Sequence, residues 1–350
     1  MNILNCKDIV RDLEMQMADM NHSKVFVLTD EGSAEYCTAF LDNVSFEYQK
    51  IVLKAGDDHK TIDALASVWQ FMTENGADRE SLLINLGGGM ITDLGGFAAS
   101  TFKRGVYFIN IPTTLLAMVD AAVGGKTGIN FGGFKNEVGV INHADAVLID
   151  TLFLKTLDED NVLSGYAEML KHGLITKSEH FNDLLKFDWS NIDYTRLNEL
   201  VLDSIKVKEN IVEQDPYEKG IRKALNLGHT VGHAFESLAM KTDDVAVMLH
   251  GRAVALGIIV ELFLSHQKLN FPTSLMRSVI QEVKDHYQPF IFDCDDYETL
   301  YSYIKHDKKN SGDRINFTLL SDMGEVQINQ DCSKEEIFAA LDFYRDEMGI

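Results

Sequence analysis

The run Ser81–Leu86 (SLLINL) leads straight into Gly87–Gly96 (GGGMITDLGG), a junction few folds accommodate. A short apolar run meeting a glycine cluster reads as a buried strand that turns tightly into a helix. Such a turn needs one or two glycines, whereas five stand within these ten residues. The surplus suits a backbone that approaches a pyrophosphate closely, with a helix N-terminus supplying oriented N–H groups and a favourable dipole. The spacing is not GxGxxG, so the ordinary dinucleotide fingerprint does not match. Lys24–Leu28, Tyr48–Leu53, Tyr107–Ile111 and Ala146–Ile149 are further strand-like runs. Ser33–Leu41 reads as helical, and Ile62, Leu65, Ala66, Trp69 and Met72 recur at helical spacing before a stop at Gly76. Strand and helix in alternation predict a parallel sheet covered on both faces.

After Asp150 the pattern changes. Val162–Ile175, Leu197–Val212, Leu225–Met240, Gly251–Gln267 and Glu335–Met348 are amphipathic helical stretches, and Ile315–Leu320 is the best strand signal. The predicted class is α/β: a Rossmann-like parallel-sheet domain over residues 1–155, then a mostly α-helical domain over 156–350. A chain of 350 residues is long enough for two cores. Its formal charge of −22 argues against nucleic acid and anionic membrane surfaces. An anionic ligand would therefore need a local basic cluster. Cys6, Cys37, Cys294 and Cys332 are scattered without a CxxC pair, which suits a reducing cytosol. The polar N-terminus is unlike a signal peptide and Ala253–Leu264 is too short for a bilayer, so a cytoplasmic location is expected.

Two more stretches carry chemistry. In Arg222–Glu236 (RKALNLGHTVGHAFE), His229 and His233 are four residues apart and share a helix face. With His250 downstream and Glu168 in GYAEMLKHG, one turn before Lys171, they compose a ligand set suited to zinc with an open position. A single such His is more often a core residue bonded to carbonyls. Several ionisable groups turned inward need to be paired or ligating. Spacing alone would pair His229 with His233 as ligands. Asp120–Gly139 spreads Asp120, Lys126, Asn130, Lys135 and Asn136 among six glycines and reads as an anion-binding loop. Thr113 and Thr114 end a strand with two hydroxyls, for which capping the next helix is the simpler role.

Together GGGMITDLGGF, RGVYFINIPTTLLAMVDAAVGGKTGIN, KNEVG, GYAEMLKHG, LNLGHTVGHAFE, LHG and DKK resemble 3-dehydroquinate synthase, within the wider group of sugar phosphate cyclases. The resemblance is dense from Gly56 to Glu236 and looser through His250 to Arg314. It implies a divalent metal, zinc or cobalt, held by Glu168, His229 and His250, and places His233 in the proton-transfer set. It implies NAD contacts at Asp57, Lys60, Gly88, Gly89, Asp93, Thr113, Thr114, Phe153 and Thr156. Catalytic positions map onto Asp120, Lys126, Lys171, Lys208 and His233. Substrate contacts map onto Asn136, Arg222, Asn226 and Lys308, with Arg104 reaching across a homodimer. The chain departs from the family at Asp57, where Glu is usual, and at Asp158, where Pro commonly follows TL. The alignment is loose around Lys308, Lys309 and Arg314.

The implied reaction turns 3-deoxy-D-arabino-heptulosonate 7-phosphate into 3-dehydroquinate and phosphate, in the shikimate pathway of aromatic amino acid biosynthesis. Brief oxidation of one carbon by NAD acidifies the neighbouring C–H, phosphate leaves, hydride returns and an aldol step closes the ring. The partner is thus a small sugar phosphate, not nucleic acid or membrane. The rival readings are another cyclase, making an inosose or a valiolone, and a metal-dependent polyol dehydrogenase. Such dehydrogenases share a GGGxxxD turn and paired His. They tend to carry Lys where Gly96 stands and lack the Lys126/Lys135/Asn136 group.

Overall fold

The computed structural model describes residues 2–132, 134–176, 179–241, 248–305 and 315–350. The chain divides into two compact units, residues 1–158 with 192–205, and residues 159–191 with 206–350.

The first unit runs β1 (Ile3–Asn5), α1 (Ile9–Ala18), β2 (Val25–Asp30), α2 (Glu31–Tyr36), β3 (Tyr48–Leu53), α3 (Ile62–Glu74), β4 (Leu82–Gly87), α4 (Gly89–Thr101), β5 (Tyr107–Pro112), β6 (Lys126–Phe131), β7 (Phe134–Ile141) and β8 (Ala146–Ile149). Six strands form one parallel sheet in the order β1-β8-β5-β4-β2-β3. Alternate strand residues point to opposite faces. Val25, Val27, Leu82, Ile84, Leu86, Ile109, Ile111, Ala146 and Leu148 fill one core together with Leu13 and Met17 of α1. On the other face a Cβ added to Gly95 of α4 would meet Asn85 Oδ1 at 2.0 Å, so helix and sheet touch backbone to side chain. Asn85 in turn donates to Asn110 of β5 at 2.8 Å. Cover on both faces explains why these strands read as near-continuous apolar runs. Gly76 ends α3 with φ +71°, the left-handed stop that glycine supplies most readily.

Two sequence expectations are corrected here. The helix expected over Ser33–Leu41 is α2 followed by a separate 3₁₀ turn, Ala39–Asn43. The glycine-rich stretch after Asp120 is not an irregular loop: β6 and β7 pair as an antiparallel hairpin. Gly128 lies opposite Gly139, and a Cβ on Gly139 would meet Thr127 O at 2.0 Å. Those two glycines serve strand contact instead of loop freedom. Asp120 sits just before the hairpin in a π-helical turn, Ala117–Ala121.

The second unit contains α5 (Glu159–Leu174), α6 (His180–Leu185), α7 (Tyr194–Gln214, its residues to Ile205 belonging to the first unit), α8 (His229–Ala239), α9 (His250–Leu269), α10 (Thr273–His286), α11 (Tyr297–Lys305), β9 (Phe317–Asp322), β10 (Glu325–Gln330) and α12 (Lys334–Met348). Helix α9 is its centre, packed on α5, α8, α10, α12 and β9. Its unbroken run from Ala253 to Leu262 is buried on every side, as expected of a helix apolar all round. The helix expected over Leu225–Met240 is interrupted. A 3₁₀ turn, Ile221–Asn226, precedes Gly228 at φ +80°, and α8 starts only at His229. No helix among the described residues is long and apolar enough to cross a membrane.

Candidate functional site

In the first unit the sheet order reverses between β2 and β4, the place where open α/β sheets take their ligands. Asp30 ends β2 there, accepting from Ser33 N and Ser33 Oγ, each at 3.0 Å. A Cβ on Gly87 would meet Asp30 Oδ2 at 2.9 Å, one on Gly88 would meet Thr114 Cγ2 at 3.0 Å, and one on Gly89 would meet Ala121 Cβ at 3.2 Å. Side chains at these positions would fill the cradle ahead of the α4 N-terminus, so the residues fit a bound pyrophosphate. Thr114 Oγ1 accepts from Ala117 N at 3.2 Å, the capping role expected of it. Thr113 meets Ser33 Oγ at 3.2 Å. Phe153 packs beside Phe40, ring centroids 6.0 Å apart, and Thr156 donates to Phe153 O at 3.3 Å. Asp30 was absent from the sequence reading, because only the strand order brings it beside the glycine turn.

Lys60 is buried, and its ammonium meets Asp93 Oδ2 at 3.0 Å, Asp57 Oδ1 at 3.2 Å and Asn136 Oδ1 at 2.6 Å. Three acceptors match its three N–H donors. Burial works against the charge on Lys60, but Asp93 and Asp57 outweigh it and hold the group above its ordinary range. Burial pushes the Asp93 carboxyl up despite Lys60. Asp57 is held low: its own burial is overcome by the charges of Lys60 and Lys135. Asn130 joins the set, donating to Asp57 O at 2.8 Å and accepting from Asn136 N at 2.9 Å. Asn136, expected among the substrate residues, accepts from Lys60 through its Oδ1 and stands at φ +51°.

In the second unit Glu168, His229, His233 and His250 converge. One nitrogen from each of the three imidazoles lies within 4.8 Å of the others. Glu168 is fully buried and its Oε2 is engaged by Lys171, one turn on. Its Oε1 accepts no hydrogen bond among the described residues, yet stands 3.7 Å from His229 Nε2 and 3.8 Å from His250 Nε2. The other nitrogen of each ring is occupied. His229 Nδ1 lies 3.2 Å from Leu227 O, and His250 Nδ1 lies 3.4 Å from Glu236 Oε2. With Nδ1 as the donor to these oxygens, each neutral imidazole would aim its Nε2 lone pair at the unbonded carboxylate oxygen. Carbonyl and carboxylate partners of this kind are what orient metal-ligating His. An enclosed carboxylate oxygen facing two lone pairs is unfavourable unless a cation sits among them, so this donor set fits a divalent metal. Glu236 was not singled out in the sequence reading.

The three helices bearing these groups touch at glycines. A Cβ on Gly251, next to His250, would fall 1.8 Å from Ser164 O of α5, and one on Gly257 would fall 2.1 Å from Gly228 O at the start of α8. Gly251 N also donates to Ser164 Oγ at 3.1 Å. Backbone contact of this kind leaves little freedom in the spacing of Glu168, His229 and His250.

Beside them, Asp215 Oδ2 accepts from Gly220 N at 2.6 Å and Arg222 N at 3.1 Å, folding the loop that leads into α8. Arg222 is buried and donates to Pro216 O at 2.6 Å; Asn226 donates to Glu218 Oε1 at 2.7 Å. Glu218 is a further acidic group that the sequence reading missed. Lys208 is buried on α7, whereas Lys126 is exposed at the start of β6. Lys103, Arg104 and Gly105 are consecutively left-handed, with φ of 49°, 72° and 118°. They present Lys103 and Arg104 to a surface hollow of about 430 Å³ that Asp78 and Arg79 also line. A Lys and an Arg in that region are strained. Lys308, with Lys309 and Arg314, lies outside the described residues.

Comparison with known proteins bears on all of this. Family models match the chain over residues 50–164 (3-dehydroquinate synthase N-terminal) and 165–310 (3-dehydroquinate synthase C-terminal). A 3-dehydroquinate synthase of Parabacteroides distasonis is 52% identical over 351 residues, covering 99% of each chain. One of Clostridium tetani is 35% identical, covering 92% of this chain and 86% of that one. The fold is similar to that of a 2-epi-5-epi-valiolone synthase from Streptomyces hygroscopicus with NAD⁺ and Zn²⁺ bound, at TM-score 0.86 and 23% identity over 99% of this chain and 96% of that one. It is less similar to an NADH-dependent butanol dehydrogenase from Thermotoga maritima, at TM-score 0.70 and 11% identity over 98% and 96%.

Proposed function

The chain belongs to the 3-dehydroquinate synthase family and carries that activity, and we propose that Glu168, His229 and His250 hold its divalent metal while the glycine turn and the Lys60 group hold NAD. The reaction converts 3-deoxy-D-arabino-heptulosonate 7-phosphate to 3-dehydroquinate and phosphate, which makes the enzyme a phosphate-eliminating carbon-oxygen lyase. The observation that carries the ligand assignment is Glu168 Oε1, buried and unbonded between two Nε2 atoms. His233 lies in the same cluster, its ring 5.4 Å from that of His229, and we assign it to proton transfer together with Lys208. When bound, NAD supplies a hydride acceptor and donor, and zinc or cobalt supplies a Lewis acid at the substrate hydroxyl.

The chain's own residues supply binding and orientation. Residues 1–155 are assigned to the cofactor and 156–350 to metal and substrate. Lys126, Asn136, Lys171, Arg222, Asn226 and Lys308 are assigned to the anionic groups of the substrate, which needs a local basic set in a chain of charge −22. Asp120, in its π-helical turn, completes the catalytic set. Arg104, on its left-handed turn, is assigned to the site of a partner subunit in a homodimer. Scattered free cysteines support a cytoplasmic location. Gly96 supports the synthase over the dehydrogenase, since a Cβ there would already meet Thr127 Cγ2 at 2.5 Å.

The test is incubation with the heptulosonate phosphate, NAD and zinc. Phosphate and 3-dehydroquinate should accumulate over many turnovers while the reduced-nicotinamide absorbance stays flat. Sustained NADH formation from glycerol, with no phosphate released, would instead identify a polyol dehydrogenase.

A further inference from the structure

Glu261 lies fully enclosed in α9 and has no part in the assignments above. An enclosed carboxylate is costly unless its oxygens are satisfied. Here Oε2 accepts from Gly228 N at 2.6 Å and Oε1 accepts from Val231 N at 3.2 Å. These are the N–H groups of the N-cap and the third residue of α8. In a capping box the same two groups are satisfied by side chains of the helix itself. Helix α8 has neither, because its N-cap is glycine and its third residue is valine. A carboxylate from another helix does both tasks, with its negative charge at the positive end of the α8 dipole. His229, the first residue of α8, lies between the two bonded positions.

The placement along α9 is equally telling. Glu261 follows His250 by eleven residues (261 − 250), close to three full turns, so both lie on one stripe of the helix. Val254 and Gly257 fall on that stripe between them. A Cβ on Gly228 would meet Val254 O at 2.7 Å, and one on Gly257 would meet Gly228 O at 2.1 Å. One face of α9 thus carries His250 at one end and, at the other, the group that anchors the helix of His229.

We propose that Glu261 is a positioning residue of the metal centre: by capping α8 from α9 it fixes His229 relative to His250. The inference rests on the assignment of those two residues as ligands.

The experiment uses the cobalt- and zinc-loaded full chain and compares Glu261→Gln and Glu261→Ala with Leu341→Ala. The last truncates a buried side chain in α12, which bears no ligand, and controls for general loss of stability. The readouts are the visible ligand-field bands of bound Co²⁺ and the Zn²⁺ affinity in competition with a chromophoric chelator. Gln can accept one of the two N–H groups. Glu261→Gln should therefore weaken zinc about 10-fold and Glu261→Ala about 100-fold, the range seen for groups that orient ligands. Both should alter the cobalt bands, while Leu341→Ala, at a comparable fall in melting temperature, leaves bands and affinity unchanged. If the alanine variant does not fold, the glutamine variant carries the comparison. Unchanged affinity and superimposable bands in the folded Glu261 variants, or equal changes in Leu341→Ala, would overturn the proposal. Retention of metal with unchanged bands in His229→Ala would overturn the ligand assignment, and this inference with it, in a chain whose Glu261 is intact.

Discussion

Glu236 Oε2 stands 3.4 Å from His250 Nδ1, and that contact decides which nitrogen of the imidazole is left to face Glu168. Glu236→Ala should weaken metal binding about 10- to 100-fold, as loss of a ligand-orienting group does elsewhere. Equilibrium dialysis with zinc measures it. An unaltered affinity would mean that the ring is oriented by something else.

His229→Ala and His250→Ala should each lose the metal. His233→Ala should keep it and lose turnover. Metal analysis and the phosphate-release assay on the same preparations separate the two classes. An empty His233→Ala protein beside a loaded His250→Ala protein would reverse the assignment.

Lys60 is enclosed and pairs with Asp93, itself largely covered, and with the more exposed Asp57, so its removal strands chiefly the Asp93 carboxylate. Lys60→Met should destabilise the first unit by about 3–5 kcal/mol, the usual result of deleting one partner of a buried pair, and should abolish NAD binding. Adding Asp93→Asn should recover part of the stability, because the enclosed carboxylate is then no longer charged. Urea unfolding of the single and double variants gives the coupling; strict additivity would show that the pair does not interact.

Gly251→Ala places a methyl group where Ser164 O leaves no room. The variant should lose about 1–3 kcal/mol, as overpacked cores do, and should also lose metal, because α9 must retreat from α5. A variant that kept normal stability and a full metal complement would show that the helices are free to move apart.

His286 Nε2 lies 3.1 Å from Glu282 Oε1, which also accepts from Tyr166 OH at 2.5 Å. Hydrogen bonding to Glu282 raises the His286 pKa above its ordinary value of 6.5; burial opposes this, and the charges of Glu282, Asp285 and Glu159 add to it. A group whose pKa is raised on folding contributes stability that is complete below its unfolded value. That stability is lost as pH rises through the folded value. The stability difference between the unaltered chain and His286→Gln should therefore be largest at the acidic end of the range from about pH 5 to pH 8 and shrink towards neutrality and above. Urea midpoints across that range check it, and a difference growing with pH would contradict the sign.

The parallel sheet was legible because buried strands of β-branched and aliphatic residues alternate with helical periods, and the glycine run marks the strand-to-helix turn. The hairpin over Lys126–Ile141 was not, since its glycines look the same whether they loosen a loop or let two strands close on each other. Within the histidine cluster, helical spacing brought His229 and His233 together. The rings of His229 and His250 have second partners in Leu227 O and Glu236 Oε2, contacts that leave no period in the sequence. Asp30, Glu218, Glu236 and Glu261 were missed for the same reason. Each is an ordinary acidic residue until the fold places a glycine turn, an amide, an imidazole or a helix end beside it.

The pairing of β1 with β8 sets Ile3 against Val147, 144 residues further along (147 − 3). On the ribosome the N-terminal strand is made first and its partner last among the strands of that sheet, at about 5–20 residues per second. Helix α1 and strands β2 to β5 can assemble in the meantime, but β5 keeps an open edge until β8 arrives to be hydrogen-bonded on both sides. An unpaired strand edge is a template for the wrong neighbour. A nascent chain arrested before Val147 emerges should therefore be the species most prone to associate with its copies, and the one most dependent on chaperones during synthesis.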